Sequence, residues 1–244
     1  MTSSRVDRAS VQPHCDELFR KIESKFHSSN IPTDKWYLTA LSALTATSEP
    51  QLADQLYLYL VSQPAYTTAS ARMVLIRRLR EVIIKDIALL GIPKPAEAII
   101  AISRVEPENE MDTSFSREGW QCDHKNHERG MSWLQKIYAQ NTEALFDLFK
   151  RHRDFGFIVS EVAYGLHLSD RQELGDIETE LVVLPAVMAQ NLPRMTYWHV
   201  RGTRRLGVSK EDVQMVCECV REVARFCGYE LDRVPVVETV EDEL

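Results

Sequence analysis

The chain has 244 residues, 44% hydrophobic and 27% charged, an ordinary globular balance that excludes a disordered or collagen-like chain. Nine glycines and ten prolines are too few for a many-stranded all-β fold, which needs turn residues every few positions. The net charge is −7, and four of the acids (Glu238, Glu241, Asp242 and Glu243) crowd the last seven residues, so the body is near −3 and offers no general basic face to nucleic acid or an anionic membrane.

Met1–Ser10 is polar and lacks the apolar stretch of a secretory signal. The closing Glu-Asp-Glu-Leu resembles a retention tail only superficially, since no entry signal accompanies it. No run of 18 uncharged apolar residues occurs, so no segment is expected to span a bilayer. Five cysteines, an odd number without framework spacing, read as reduced thiols. A cytoplasmic location is the expectation. The Arg- and Ser-containing start followed by Leu18-Phe19-Arg20-Lys21-Ile22 leaves a mitochondrial one open, although Asp7, Asp16, Glu17 and Glu23 count against it.

Helical period dominates from Asp34 onward. Apolar residues recur at threes and fours to Leu60, with an Ala/Leu-rich stretch over Leu38–Ala46. Between Val74 and Leu90 the polar positions Arg77, Arg78, Glu81 and Lys85 repeat at helical spacing, and Gly91-Ile92-Pro93 stops that helix. Ala96–Ile102 is a further short helix. Ser103 to Gly130 is charged and almost free of aliphatic residues, an expected linker or functional loop. Met131–Tyr138, Thr142–His152, Phe155–Gly165 and Leu181–Ala189 then read as helices. Pro193 opens another that ends at Gly207, and Ser209 caps the last, which runs to about Phe226. The expected fold is all-α.

The two halves look alike. Leu41-Ser-Ala-Leu-Thr-Ala before Pro50 has the shape of Leu184-Pro-Ala-Val-Met-Ala before Pro193, at an offset of 143 residues. Each is followed by an amphipathic helix containing Arg-Glu-Val (Arg80–Val82 and Arg221–Val223). The expected division is a partly helical N-terminal extension (1–33), a first helical repeat (34–102), the charged linker or loop (103–130), a second repeat (131–232) and an acidic tail (233–244).

Glu180 and His199 are the most suggestive pair. Glu180 shares a face with Ile177, Leu184 and Val187, and His199 shares one with Met195, Thr203 and Leu206. A carboxylate and an imidazole carried on apolar stripes suit general acid–base work, although acids also favour first helical turns and a lone helical His is usually structural. Other groups point less clearly to chemistry. Cys122-Asp-His124-Lys-Asn-His127 offers at most three metal ligands at a spacing no common site uses, so no metal is expected. Cys217 and Cys219, two apart on a helix, face different ways and are not a redox pair. Arg77, Arg78 and Arg80 are a solvated helix side or an anion patch. No glycine-rich phosphate loop occurs, so no nucleotide cofactor is expected.

The run Glu180-Leu-Val-Val, then Tyr197-Trp198-His199-Val200-Arg201-Gly202-Thr203, then Leu206-Gly207-Val208-Ser209-Lys210-Glu211-Asp212-Val213 resembles the carboxymuconolactone decarboxylase family of the alkylhydroperoxidase D-like (AhpD-like) superfamily. The resemblance covers about 137–228 well and 36–102 more faintly. It implies two AhpD-like helical repeats packed as a pseudo-dimer. The peroxidase branch places Cys-x-x-Cys between its Glu and His; here the separation of 19 is kept, but Leu192 and Met195 stand at the cysteine positions. Neither supplies an ionisable sulfur, so cysteine-based peroxidase activity is not expected. In the first repeat Tyr37 and Leu56 stand where the second has Glu180 and His199.

The resemblance further implies a lyase that decarboxylates, or moves a proton on, a small unsaturated carboxylated metabolite without a cofactor. Such a molecule belongs to aromatic breakdown or secondary metabolism. His199 would donate the proton, Glu180 would orient it, and Arg201, Met195, Leu192 and Tyr197 would bind substrate. Arg201 alternatively forms a structural ion pair. A homo-oligomer is implied, a trimer of tandem chains or a dimer, with no nucleic-acid or membrane partner. The rival expectation is a non-catalytic assembly or binding module derived from the same family.

Overall fold

Helical spacing in the sequence becomes helix throughout the computed structural model, which describes residues 11–243 and has no β-strand among them. The fold is all-α. Met1–Ser10, read above for a leader, and Leu244 lie outside the described residues. No helix among the described residues is long and apolar enough to cross a membrane.

Two helices form the centre. In α2 (Trp36–Ala46) every residue is buried, and in α9 (Asp176–Ala189) every residue from Thr179 onward is. A helix apolar all round has no solvent face and must be enclosed, and these two pack on one another. Around them lie α3 (Ala53–Val61), α4 (Ala69–Leu90) and α5 (Pro93–Val105) from the first half. The second half contributes α10 (Pro193–Arg205) and α11 (Lys210–Phe226). Thr68 and Ser209 open α4 and α11 with the same cap, each side chain accepting from the backbone N–H three residues on. α4 packs on α9 as well as α2, and α11 on α2 as well as α9. The N-terminal α1 (Pro13–His27) buries Cys15, Leu18, Phe19, Ile22 and Phe26 and lies against α11, with Lys21–Glu222 (2.7 Å) and Lys25–Glu218 (3.1 Å) at the rim.

The central contact has a polar seam. Pro185 lies inside α9 and has no N–H, so the Leu181 carbonyl four residues back loses its intrahelical donor. The Thr39 hydroxyl of α2 donates to that carbonyl at 3.2 Å. One turn along, Ser42 Oγ lies 2.7 Å from Val182 O and 2.9 Å from Asp86 Oδ1. A hydroxyl has one proton to give. It serves Val182 O and Asp86 one at a time, unless Asp86 carries its own proton and donates to Ser42. Complete burial pushes the Asp86 carboxyl well above the usual carboxylate range, with the Ser42 contact opposing.

The charged stretch is strapped to α4. Arg72 pairs with Glu110, Arg77 and Arg80 with Asp112, and Arg117 with buried Glu81. These pairings occupy Arg77 and Arg80, two of the three arginines read as a solvated side or anion patch, and Arg78 pairs with Glu178. The next helix, α6 (His124–Tyr138), begins at His124 rather than 131, because Asp123 caps it by accepting from Asn126 N. Cys122 to His127 is therefore a helix start. No group of three or more His, Cys, Asp or Glu among the described residues could hold a metal ion.

Two short helices follow, α7 (Thr142–Phe149) and α8 (Arg153–Phe157), and α8 runs into a π-helix (Ile158–Leu168). The π-helix lies against α6 at close range: a Cβ on Gly130 would stand 2.5 Å from Ser160 O. The C-terminal stretch does not trail away, since Val237 and Val240 are buried and Glu241 accepts from Arg204 Nε and Nη2 (2.8 and 3.0 Å).

Thr39→Val keeps the shape of the seam and removes the donor to Leu181 O; chemical denaturation is expected to show a loss of about 1–3 kcal/mol, the cost of a buried unpaired carbonyl. Asp86→Asn tests the proton. A carboxyl raised on folding contributes stability that is full below its unfolded value near about 4 and is lost as pH rises through the folded value. Melting between pH 4.5 and 8.5 should therefore favour the Asn variant increasingly toward high pH.

Candidate functional site

The position of Glu180 is set by the start of α9. Glu178 accepts from Gly175 N (2.7 Å) and is held by Lys35 (2.8 Å) and Arg78 (2.6 Å) at the surface. Two residues on, the chain has turned half a helical revolution and Glu180 faces inward with no exposure. Asn191, with φ +56°, turns the chain between α9 and α10. Gly202 then lets α10 approach α6, for a Cβ there would lie 2.6 Å from Ile137 Cγ2. His199, 4% exposed, is thereby delivered to Glu180.

His199 Nδ1 lies 3.0 Å from Glu180 Oε2. Thr203 Oγ1 is 3.3 Å from the same oxygen and 2.7 Å from the His199 carbonyl, and its single proton serves one at a time. Glu180 Oε1 is buried and receives no hydrogen bond from the described residues. An imidazole that gives its Nδ1 proton to a carboxylate keeps a lone pair on Nε2 in its neutral form, the arrangement of a base oriented by an acid.

Two phenols complete the surroundings. The Tyr138 ring meets His199 edge-on with centroids 6.2 Å apart, and its hydroxyl lies 3.2 Å from that of Tyr164 on the π-helix. Burial pushes Tyr138 up to about 12 and Tyr164 well above the usual phenol range, and the nearby Glu180 charge acts in the same direction on both. Both therefore remain protonated donors at neutral pH. The sequence reading missed this pair, because Tyr138 comes from a helix 42 residues before Glu180 and no spacing rule connects them.

The binding residues expected alongside Glu180 and His199 are spread along α10. Arg201 is buried with its guanidinium 5.6 Å from the Tyr197 ring centroid. Tyr197 and Met195 are half-buried, and Leu192 is 37% exposed at the start of α10. Surface clefts of about 60, 150 and 280 Å³ are present, and none of the three is lined by Glu180, His199 or any of these four residues. No thiol takes part. Burial pushes Cys15 up to about 11 and Cys217 and Cys219 to about 12, so none is a ready thiolate.

No family model matches the chain, and no solved structure does. Two curated proteins are similar to it. One, from Schizosaccharomyces pombe, is 26% identical over 152 residues, 62% of this chain and 70% of that protein. Another, from Saccharomyces cerevisiae, is 22% identical over 251 residues, 79% of this chain and 88% of that protein. Both are named Peroxisomal protein 2.

The tautomer of His199 is directly measurable. Long-range ¹H–¹⁵N correlation spectra above the imidazole titration should show a protonated Nδ1 and a bare Nε2. Glu180→Gln, which places an amide opposite the ring, should disturb that preference; an Nε2–H tautomer in the wild type contradicts the oriented-base arrangement.

Proposed function

We propose that the chain is a carboxymuconolactone decarboxylase-like enzyme that uses Glu180 and His199 for cofactor-independent acid–base chemistry on a small, unsaturated, carboxylated metabolite. The observation that carries this reading is the 3.0 Å contact between Nδ1 and Oε2 of two buried side chains at the spacing the resemblance implies. In a decarboxylation the C–C bond to the carboxylate breaks, its electron pair passes into the unsaturated system, and a dienolate remains. His199, protonated on both nitrogens, would deliver its Nε2 proton to that dienolate carbon and regain one from solvent. Glu180 balances the imidazolium charge throughout.

Within the same reading the two halves are AhpD-like repeats packed as a pseudo-dimer, and chains associate further as a trimer or dimer. The matching caps of α4 and α11, and the way each of these helices packs on the central helix of the other half, support the repeat. The names of the two yeast relatives support placing the protein in peroxisomes, in preference to the cytoplasmic or mitochondrial location expected from composition.

A second reading, a non-catalytic assembly or binding module, draws on one observation: none of the three clefts reaches Glu180 or His199. The two readings part on turnover. Incubation of the wild type and of Glu180→Gln and His199→Gln with a panel of unsaturated lactone and keto acids, followed by NMR, should show loss of carbon dioxide by the wild type and at least about a hundredfold less by either variant. Folded protein with no turnover across the panel, at any oligomeric state populated in solution, favours the module.

A further inference from the structure

The largest of the three clefts, about 280 Å³, lies away from the dyad, between α7, α8 and the first turn of the π-helix. Three aromatic rings, Phe146, Phe149 and Phe157, line it together with Lys150 and Arg153, and no acidic side chain does. The chain as a whole is acidic, so a cleft walled by two cations and three rings is a local inversion of its charge. Arg153 makes no hydrogen bond or ion pair among the described residues, and Lys150 makes only a long ion pair with Asp147, at 3.9 Å.

The floor is kept open by a glycine. A Cβ on Gly156 would meet Phe149 Cβ at 3.8 Å and Phe146 Cδ1 at 4.0 Å, ordinary contacts that a side chain could make without strain. Gly156 sits inside α8, where its backbone needs no left-handed conformation. Neither backbone geometry nor crowding requires glycine here. What its absence of side chain does is leave the space between the rings unfilled. Elsewhere in the same stretch Leu148, Phe155 and Ile158 are each about half exposed.

We propose that this cleft binds an amphipathic organic anion, a flat or short apolar body carrying one carboxylate. The body lies between Phe146, Phe149 and Phe157 over Gly156, and the carboxylate meets Lys150 and Arg153. Apolar walls with a few convergent polar groups are the usual make-up of a small-molecule site, and a guanidinium is a natural carboxylate partner. The proposal is independent of the acid–base reading, for it requires only binding.

The probe is 2-naphthoate, compared with its neutral isostere 2-naphthamide, titrated into the ¹⁵N-labelled full chain. The expected result is saturable shifts of amides within 146–160 by 2-naphthoate, with 2-naphthamide bound about tenfold or more weakly, as for loss of a charge-assisted hydrogen bond. Gly156→Leu should abolish the shifts by filling the floor, and Lys150→Gln/Arg153→Gln should weaken naphthoate to the level of the amide while the unperturbed spectrum shows the variants folded. Equal affinity for acid and amide, or binding unchanged by Gly156→Leu, overturns the proposal. So does the absence of any shift at millimolar probe. Sedimentation with vesicles of phosphatidylcholine and phosphatidylserine separates the remaining alternative: vesicle binding without naphthoate binding assigns the patch to a lipid surface and overturns the small-molecule site.

Discussion

A proline in the middle of a buried central helix is the constraint on which the rest is arranged. Pro185 deprives the Leu181 carbonyl of its partner where no water can replace it, and such an unpaired group costs about 1–3 kcal/mol. The remedy must come from a side chain on a neighbouring helix, and Thr39 supplies it. That requirement fixes α2 against α9 in rotation as well as distance. Apolar packing alone would fix the distance and leave the rotation looser. Ser42, 2.7 Å from Val182 O and 2.9 Å from Asp86 Oδ1, extends the seam to α4. Three helices are thereby locked by donors and acceptors that match only in one register.

Much of this architecture was legible in the sequence because it is local. The 3.6-residue period, the Ser209 cap and the Gly91 stop identify helices directly, since each depends on residues within a turn or two. The Glu180–His199 contact was legible for another reason: the resemblance pairs a Glu and a His at this separation of 19, and the structure brings the two together. The π-helix was not legible. Phe155–Gly165 has an ordinary helical pattern, and the wider coil answers to the close approach of α6 at Gly130 and Gly165, which no local rule contains. The early start of α6 was hidden by the polar composition around Asp123, the very residue that caps it.

Arg204 and the C-terminal acids illustrate the remaining gap. Read singly, an arginine on the dyad helix invites a substrate carboxylate, and a run of acids invites a solvated tail. The structure joins the two, with Glu241 on Arg204 and Val237 and Val240 tucked beneath. A bidentate pair between residues 37 positions apart leaves no trace in periodicity. The acids flanking Val237 and Val240 hid an apolar anchor that is obvious only once α10 and α11 offer a groove to receive it.

The first half contributes to the dyad without carrying one. Tyr37 is buried, and its hydroxyl accepts from Arg78 Nε at 2.7 Å. Arg78 in turn holds Glu178, and Lys35 holds it from the other side. Glu178 is the residue that opens α9, two positions before Glu180. Tyr37 is thus the far end of a short chain of contacts that sets where the Glu180 carboxylate enters the core. A glutamate at position 37 would put a second acid beside Glu178 in place of a neutral phenol and would compete for Arg78 and Lys35. Keeping a tyrosine there leaves Arg78 and Lys35 to Glu178 and so protects the placement of Glu180.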